Sequence, residues 1–218
     1  NNMTMVSKRM LSVGRELDNR FLSVEDMIDE LEAKGSITFL GEGSEKEAYY
    51  YADEDVVIKV PHAEEDRQTR YELAFIEDFD VFTSDSGFDT ESIKMVLPEM
   101  AGIKMYSKIA RQEVPVISME FVVPAGDGFV ISSITNTEVY ISDSTITAED
   151  YLRDDYGYDS DTAEYYQDTL RELAKALAEA FDTPTYHNCY LDLSTNFGNF
   201  GFNRNKDFKV LDFGWGLN

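Results

Sequence analysis

The sequence has a single cysteine, no long apolar run and no recognisable leader, and each of these absences excludes a class of protein. Cys189 is alone among 218 residues, so an internal disulfide is excluded. No uninterrupted apolar stretch approaches the ~18 residues that a membrane-spanning helix needs. Asn1 to Met3 are not followed by the charged and apolar regions of a secretory signal. We therefore expect a cytoplasmic protein with no membrane contact.

Basic residues are also scarce. The chain has 19 lysines and arginines against 43 aspartates and glutamates, which gives a formal net charge of −24. This balance argues against a surface that binds the phosphate backbone of nucleic acid directly. Two interpretations remain open: a well-solvated acidic surface, or a surface that attracts a basic protein partner.

Histidine is rare as well. His62 and His187 are the two in the chain, and no Cys/His spacing suggests a zinc site. No serine stands in a nucleophile-elbow pattern. We therefore expect structural or solvent-facing roles for both histidines, and the chemistry falls to carboxylates, amides and lysines.

The apolar residues that are present, 43% of the chain, suffice for the core of one domain or of a two-lobed one. Helical spacing predicts a helix over 3–21, and Ser23 begins a second helix that Gly35 ends. Strand patterns at 37–40, 48–51 and 56–60 predict an antiparallel meander. Further along, we predict helices at 64–79 and 162–181, strands at 94–97 and 116–123, and a hairpin at 129–147.

A glycine turn, a lysine and a glutamate predict a phosphate-binding site near the meander. Gly41 and Gly43 lie between two strands, where backbone N–H groups can approach a phosphate, although a plain hairpin turn is the alternative. Lys59 ends an apolar strand and needs an anionic partner unless it faces water at a sheet edge. Helical spacing favours Glu72 over Glu77 as that partner, because Glu72 shares a face with apolar residues.

The C-terminal part of the chain holds a second group of polar residues. Asp192, Asn199 and Asp212 suit a Mg-nucleotide site, in which one carboxylate works near a substrate hydroxyl while an amide and a second carboxylate hold metal. Asp212 follows Asn199 by thirteen positions. This spacing predicts a short hairpin that brings the two metal ligands together.

These motifs, taken in order, resemble the protein-kinase-like superfamily, which includes eukaryotic-type protein kinases and aminoglycoside phosphotransferases. The matching landmarks are a Gly-rich loop, a Val-Ala-Ile-Lys-like strand, a helix glutamate, a segment linking two lobes, a catalytic aspartate and two metal ligands. In this sequence they are Gly41 and Gly43, 56–59 with Lys59, Glu72, 119–122, Asp192, Asn199, and Asp212 in Asp-Phe-Gly.

The resemblance implies an α+β, two-lobed kinase-like fold that binds ATP and Mg²⁺. It divides the chain into an N-terminal helical extension at 1–35, an antiparallel-sheet N-lobe at 36–124 and a reduced helical C-lobe at 125–218 with a catalytic-like loop. It also implies that backbone groups of Met119, Glu120 and Val122 bind the adenine edge. Lys59 would hold phosphates and Glu72 would orient Lys59.

The sequence departs from the family pattern at several points. Lys46 replaces the third glycine of the loop and could contact a phosphate. Asp192 precedes Asn199 by seven positions where the family has five, and Ser194, a poor base, stands at the five-residue position. Four residues follow the Asp-Phe-Gly, without an activation segment. These features suggest a minimal, C-terminally truncated kinase of a size that also occurs in viruses and phages.

Three functions follow from these observations. The first is a kinase that transfers the γ-phosphoryl group of ATP to a hydroxyl of a protein or small molecule. The second is a pseudokinase-like binding module that keeps the fold without the catalysis. The third is an acidic decoy that captures a basic, nucleic-acid-binding protein. A homodimer that covers the reduced C-lobe is compatible with each.

Overall fold

The computed structural model describes residues 4–43, 45–62, 66–84, 87–126, 146–181 and 185–214. The helices in these ranges are α1 Lys8–Arg20, α2 Val24–Ala33, α3 Arg67–Glu77, α4 Phe79–Phe82, α5 Thr90–Val96, α6 Ala148–Asp150, α7 Ser160–Ala180 and α8 Tyr186–Thr195, with a π-helical turn at Tyr151–Asp155. The strands are β1 Ile37–Glu42, β2 Lys46–Tyr51, β3 Val56–Pro61, β4 Met100–Ser107, β5 Gln112–Glu120, β6 Val122–Pro124, β7 Phe200–Asn203 and β8 Phe208–Val210.

The chain divides into two compact units. The first comprises Asn1–Phe79 and Pro98–Phe121, and the second comprises Asp80–Leu97 and Val122–Asn218. The first unit therefore includes the N-terminal helices, and α5 belongs to the second. The predicted α+β fold class is confirmed, with an antiparallel sheet and helices in the first unit and a largely helical second unit.

The first unit is built on a five-stranded antiparallel sheet with the order β1-β2-β3-β5-β4. Its first three strands form the predicted meander, in which Tyr49 pairs with Ile58 and Tyr51 with Val56. The sequence analysis missed β4, whose eight residues include Gly102 and Lys104. These two residues weaken its strand pattern.

Helices α1 and α2 cover one face of this sheet. Each begins at a serine whose side chain accepts a backbone hydrogen bond, Ser7 from Met10 and Ser23 from Asp26. Their apolar sides pack with alternate strand residues into one core, which includes Met10, Val13, Leu17, Met27, Leu31, Tyr49, Tyr51, Val56, Ile58, Val60, Met105, Val114 and Val116. A hydroxyl also joins this face, because Ser118 Oγ donates a hydrogen bond to the carbonyl of Met10. The N-terminal helices are therefore an integral layer of the first unit.

Helix α3 lies on the opposite face. Its Leu73 packs so closely on β4 that a Cβ at Gly102 would come within 2.4 Å of the leucine side chain. Gly102 pairs with Ile117 in β5, and Lys59 in β3 also pairs with Ile117. Because directly opposed residues share a face, α3 covers the side of the sheet that carries Lys59.

The second unit is organised around α7, the longest helix. Asp159 caps it by accepting a hydrogen bond from Thr162 N, and the helix packs on α5, α6 and α8. The predicted helix at 162–181 is confirmed. The predicted strand at 94–97 is wrong: Asp89 caps a helix by accepting from Ser92 N, so residues up to Val96 are helical. A local cap outweighed the β-branched composition there.

A three-stranded sheet with the order β6-β7-β8 completes the second unit. A Cβ at Gly201 would lie 1.9 Å from the carbonyl oxygen of Val123, so β6 can approach β7 only at a glycine. The predicted hairpin at 129–147 lies almost entirely outside the described residues. Among those that are described, no helix is long and apolar enough to cross a membrane.

Candidate functional site

One face of the first unit's sheet carries the predicted phosphate-binding residues together. Gly41 pairs with Ala48, and Ala48 pairs with Lys59, so these three share a face. Lys46 lies two positions before Ala48 and therefore projects to the same side. This is the face that α3 covers. We call Gly41, Lys46, Lys59 and Glu72 of α3 the lysine face.

Two of these charged residues form a buried ion pair. Lys46 Nζ donates a hydrogen bond to Glu72 Oε1, and the side chains are 6% and 0% exposed. The prediction that α3 turns Glu72 inward and Glu77 toward solvent is confirmed. The structure gives Glu72 a lysine partner on β2, whereas the sequence assigned it to Lys59. The contact of Glu72 with Lys59 stays a prediction.

Lys59 is 8% exposed and is a diagonal neighbour of Lys46 on adjacent strands. Such neighbours lie roughly 7–8 Å apart along their backbones. Both ammonium groups lie on one buried face, where the carboxylate of Glu72 compensates the charge of Lys46. A phosphate chain, with several negative oxygens, has the length and charge to span both lysines.

Glu45 is a residue of this site that sequence reasoning missed. It is buried, and its two carboxylate oxygens accept hydrogen bonds from Gln68 N at 3.0 and 3.1 Å. Asp66, at the N-cap position of α3, makes no capping hydrogen bond and instead pairs with Arg70. Glu45 therefore caps α3 from the glycine turn, favoured by the helix dipole. No local pattern could reveal a cap whose partner lies 23 residues away.

The two glycines of the turn are in different settings. Gly43 N donates a hydrogen bond to the carbonyl of Lys46 at 2.8 Å and closes the β1–β2 turn. A Cβ at Gly41 would meet no heavy atom of the described residues within 4 Å. The packing of the described residues therefore does not require glycine at position 41. Space beside this backbone is available to a ligand.

Residues 119–122, the predicted adenine-binding segment, lie at the end of β5 and the start of β6. Met119 pairs with Val57, which places it on the same side of the sheet as Lys59. Glu120 lies on the opposite side, where its N–H donates to Glu99 O and its carboxylate accepts from Glu99 N at 2.6 Å. Fold contacts therefore use these two groups of Glu120. The adenine-binding role of Met119, Glu120 and Val122 stays a prediction.

In the second unit, the segment expected to be a catalytic loop is largely helical. Thr185 caps α8 by accepting from Asn188 N, and the helix continues to Thr195. Half-buried Asp192 therefore lies on a helix, and the loop contracts to 196–199. The loop assignment for Asp192 is wrong because capping and apolar contacts of α8 against α7 extend the helix.

Ser194, at the five-residue position before Asn199, is unsuited to act as a base. Its side chain is 0% exposed and its hydroxyl donates a hydrogen bond to Tyr190 O at 2.7 Å. The nearby Cys189 is also unreactive by environment: burial, together with the charge of Asp192, raises the pKa of its thiol to about 11. The thiol is therefore protonated at neutral pH, and nucleophilic chemistry by Cys189 is disfavoured.

Asn199 and Asp212 meet at one end of the β7–β8 hairpin. Phe200 pairs with Val210, and Leu211 N donates to Asn199 O at 2.7 Å just beyond that pair. The predicted hairpin is confirmed. The amide nitrogen of Asn199 donates to Asp192 O at 3.3 Å, which leaves the amide oxygen as the atom of that group suited to a cation. Amide and carboxylate oxygens are the ligands that Mg²⁺ prefers.

The three residues of the second unit are therefore brought together by helix α8 and the hairpin. Asp192 contributes its backbone carbonyl to the contact with Asn199, and Asp212 Oδ1 accepts a hydrogen bond from Gly214 N at 3.3 Å. Asp212 is half-buried. The metal-binding role of Asn199 and Asp212 and the catalytic role of Asp192 stay predictions.

No protein-family model and no curated protein matches the sequence. Among solved structures, the chain is similar to one described as the streptomycin–ATP–APH(2″)-IIa ternary complex. The identity is 14%, the TM-score is 0.29, and the match covers 89% of this chain and 72% of that one. A likeness at this level carries no residue-by-residue correspondence.

Proposed function

We propose that this chain is a kinase-like protein that binds ATP with Mg²⁺ and transfers the γ-phosphoryl group to a hydroxyl of a protein or small molecule. The observation that carries the proposal is the lysine face, where two buried lysines and a buried glutamate lie beside a glycine turn with open space at Gly41. A buried charged cluster of this kind is costly for a purely structural sheet. Lysine ammonium groups beside the backbone N–H groups of a glycine turn suit a phosphate ligand.

In this proposal each residue has a separate task. Lys46 and Lys59 hold the phosphates, and Glu72 fixes the ammonium of Lys46 in position. Gly41 lets the ligand approach the backbone of β1. Asn199 and Asp212 supply the oxygen atoms for Mg²⁺, which would neutralise charge on the phosphates. Asp192 orients the accepting hydroxyl and takes its proton.

The second candidate is nucleotide binding without catalysis. Two observations favour it: Asp192 lies on a helix, and Ser194, at the position where the family has its base, is buried and hydrogen-bonded within that helix. In this alternative the lysine face and the hairpin retain their ligands, but no base reaches an acceptor. The two candidates differ only in turnover.

A thermal-shift titration tests binding first. We expect ATP to raise the unfolding temperature of the wild type in the presence of Mg²⁺, because a ligand of the native state stabilises it by mass action. Asp212→Ala is expected to abolish the Mg²⁺-dependent part. Asp207→Ala, which changes an exposed aspartate in the turn of the same hairpin, serves as the matched control. An equal shift in wild type and Asp212→Ala would refute the assigned metal ligand.

Turnover then separates the two candidates. Phosphate release or transfer that is lost in Asp192→Asn, with nucleotide affinity retained, supports the kinase. Undetectable turnover in a wild type that binds Mg-ATP supports the binding module. Absence of any ATP-dependent shift at saturating nucleotide contradicts both.

A further inference from the structure

Three ligating side chains converge on the other side of the glycine turn from the lysine face. Glu42 of β1 pairs directly with Glu47 of β2, and His62 follows β3. One donor atom from each of the three lies within 4.8 Å of the others. Glu47 precedes Ala48 by one position and so projects to the side opposite Lys46 and Lys59. The cluster is therefore distinct from the proposed nucleotide site.

The imidazole of His62 is oriented by a contact on its far side. Its Nε2 lies 3.2 Å from the carbonyl oxygen of Gly43 and its Nδ1 lies 3.7 Å from Glu47 Oε1. A carbonyl can only accept, so this contact places the proton on Nε2 and the lone pair on Nδ1. Metal-binding histidines characteristically donate their other N–H to a carbonyl in this way, which fixes the tautomer.

Glu47 is positioned similarly. Its Oε2 accepts a hydrogen bond from the Tyr49 hydroxyl at 2.6 Å, and its Oε1 is the oxygen nearest His62. His62 and Glu47 thus each have a second partner that turns the remaining donor atom toward the centre of the cluster. These second partners, the carbonyl of Gly43 and the hydroxyl of Tyr49, are not members of the three-residue cluster.

The separation of the two donor atoms fits an ion between them better than a direct bond. At 3.7 Å, Nδ1 and Oε1 are too far apart for a hydrogen bond. Two ligands at ~2.0–2.1 Å from a tetrahedral zinc ion lie about 3.3 Å apart. A shift of a few tenths of an ångström would bring these two atoms to that separation, and exposed Glu42, with a donor atom within 4.8 Å of both, would supply the third ligand.

The charges around the cluster also favour a bound cation. Glu42 and Glu47 are like charges in a directly opposed cross-strand pair, which is destabilising, and the whole chain carries a formal net charge of −24. We propose that Glu42, Glu47 and His62 bind a divalent transition-metal ion, with Zn²⁺ the best match. The imidazole nitrogen selects Zn²⁺ over Mg²⁺, which prefers oxygen ligands throughout.

The bound ion links β1, β2 and the end of β3 and holds the Gly43 turn against His62. The sequence pattern did not indicate a zinc site, because Glu42 lies on β1, Glu47 on β2 and His62 after β3, without Cys/His spacing. The site does not depend on the proposed nucleotide function, since it shares no residue with the lysine face or with the hairpin of the second unit.

Calorimetric titration of untagged protein with Zn²⁺ tests the site. Millimolar Mg²⁺ is included to occupy non-specific acidic surface. We expect one equivalent to bind to the wild type, and more than about 10-fold weaker binding in each of His62→Ala, Glu47→Gln and Glu42→Gln. Co²⁺ in place of Zn²⁺ should give visible absorption that the same variants lose.

Matched controls use the other histidine and another exposed carboxylate. His187→Ala, at the start of α8, and Glu54→Gln, in the β2–β3 turn, are expected to bind like the wild type. Asp212→Ala should also keep the zinc site, which separates this test from that of the nucleotide site. Unfolding midpoints measured without metal check that each variant is folded. If His62→Ala is not folded, His62→Gln replaces it. Wild-type affinity in both His62→Ala and Glu47→Gln, or no binding to the wild type, overturns the proposal.

Discussion

The two faces of the five-stranded sheet are built from alternate residues of the same strands, yet their interiors differ. The face under α1 and α2 carries an apolar core, and Ser118 adds a buried hydrogen bond to α1. The face under α3 holds buried Lys46, Lys59 and Glu72. Because a strand alternates its side chains, one sheet can carry an apolar surface and a charged one back to back.

This difference between the two faces predicts that stability and ligand binding respond to different substitutions. Burial of apolar side chains stabilises in proportion to area, whereas a buried ion pair roughly balances Coulomb attraction against desolvation. We therefore expect substitutions in the apolar core under α1 and α2 to change unfolding without changing nucleotide binding. Substitutions on the lysine face should change ligand binding, and they should change unfolding only when they leave a charge without its partner.

Breaking the ion pair is expected to have the largest effect. Glu72→Ala removes the carboxylate that pairs with the buried ammonium of Lys46 and should lower the free energy of unfolding by ~3–5 kcal/mol. Urea denaturation measures this. The double variant Lys46→Met with Glu72→Leu should recover most of the loss, because an apolar pair of similar volume removes both buried charges. A double variant as unstable as Glu72→Ala contradicts this account.

The same double variant sharpens the comparison, since it removes two of the three charges of the lysine face and leaves Lys59. We expect it to fold with ATP affinity greatly reduced. Retained affinity would mean that Lys46 contributes nothing to the proposed site.

An apolar substitution under α1 should have a slightly smaller effect on stability and none on binding. Leu17 is 1% exposed in the core beneath α1. Leu17→Ala should lower the free energy of unfolding by ~2–4 kcal/mol through lost burial and a residual cavity. Nucleotide affinity, measured where the variant is fully folded, should match the wild type. A specific loss of affinity would show that the two faces are coupled.

Two glycines on the α3 side test packing against ligand access. Gly102→Ala brings a methyl group against Leu73 and should cost about 1–3 kcal/mol in unfolding. Gly41→Ala meets open space and should change stability by less than about 0.5 kcal/mol while weakening ATP binding. Each of the two glycine variants serves as the control for the other. Equal binding in Gly41→Ala and wild type would remove Gly41 from the site.

The smallest expected effect is a pH dependence on the α1 side. Burial, followed by the charge of Asp53, raises the pKa of the Tyr51 hydroxyl. The folded state thus holds this proton more tightly than the unfolded state. The resulting stabilisation is complete below the unfolded pKa of about 10 and is lost as the pH rises further.

Urea unfolding between pH 8 and 11 measures this contribution. Tyr51→Phe should show a shallower alkaline decline than the wild type, whereas Tyr106→Phe, at an exposed position on β4, should leave the slope unchanged. A wild-type slope in Tyr51→Phe would assign the alkaline loss to other groups.

Local sequence patterns predicted an element correctly where contacts within a few residues determine its structure. Ser23 and Gly35 bound α2, alternation predicted the meander, and an amphipathic pattern predicted α7. The spacing from Asn199 to Asp212 predicted the hairpin that joins them. The errors fell where two local signals compete: Asp89 caps a helix over residues with strand character, and Thr185 begins a helix that continues through Asp192.

Partner choice could not be predicted in the same way. Helical spacing selected Glu72 as the inward carboxylate of α3, but Lys46 and Lys59 share a face, and only packing decides which ammonium it contacts. The cap by Glu45 and the cluster of Glu42, Glu47 and His62 each join residues from separate elements. Such contacts depend on strand register and on how a helix is laid across the sheet.

The sequence by itself determined the meander, α2, α7, the acidic charge and the identities of the groups proposed to bind phosphate or metal, since these depend on composition and on periodicity within a few residues. Tertiary structure alone decided where residues of separate elements meet and which opposite charge each group contacts. The physical reason is that side-chain alternation turns a one-residue change of register into a change of face.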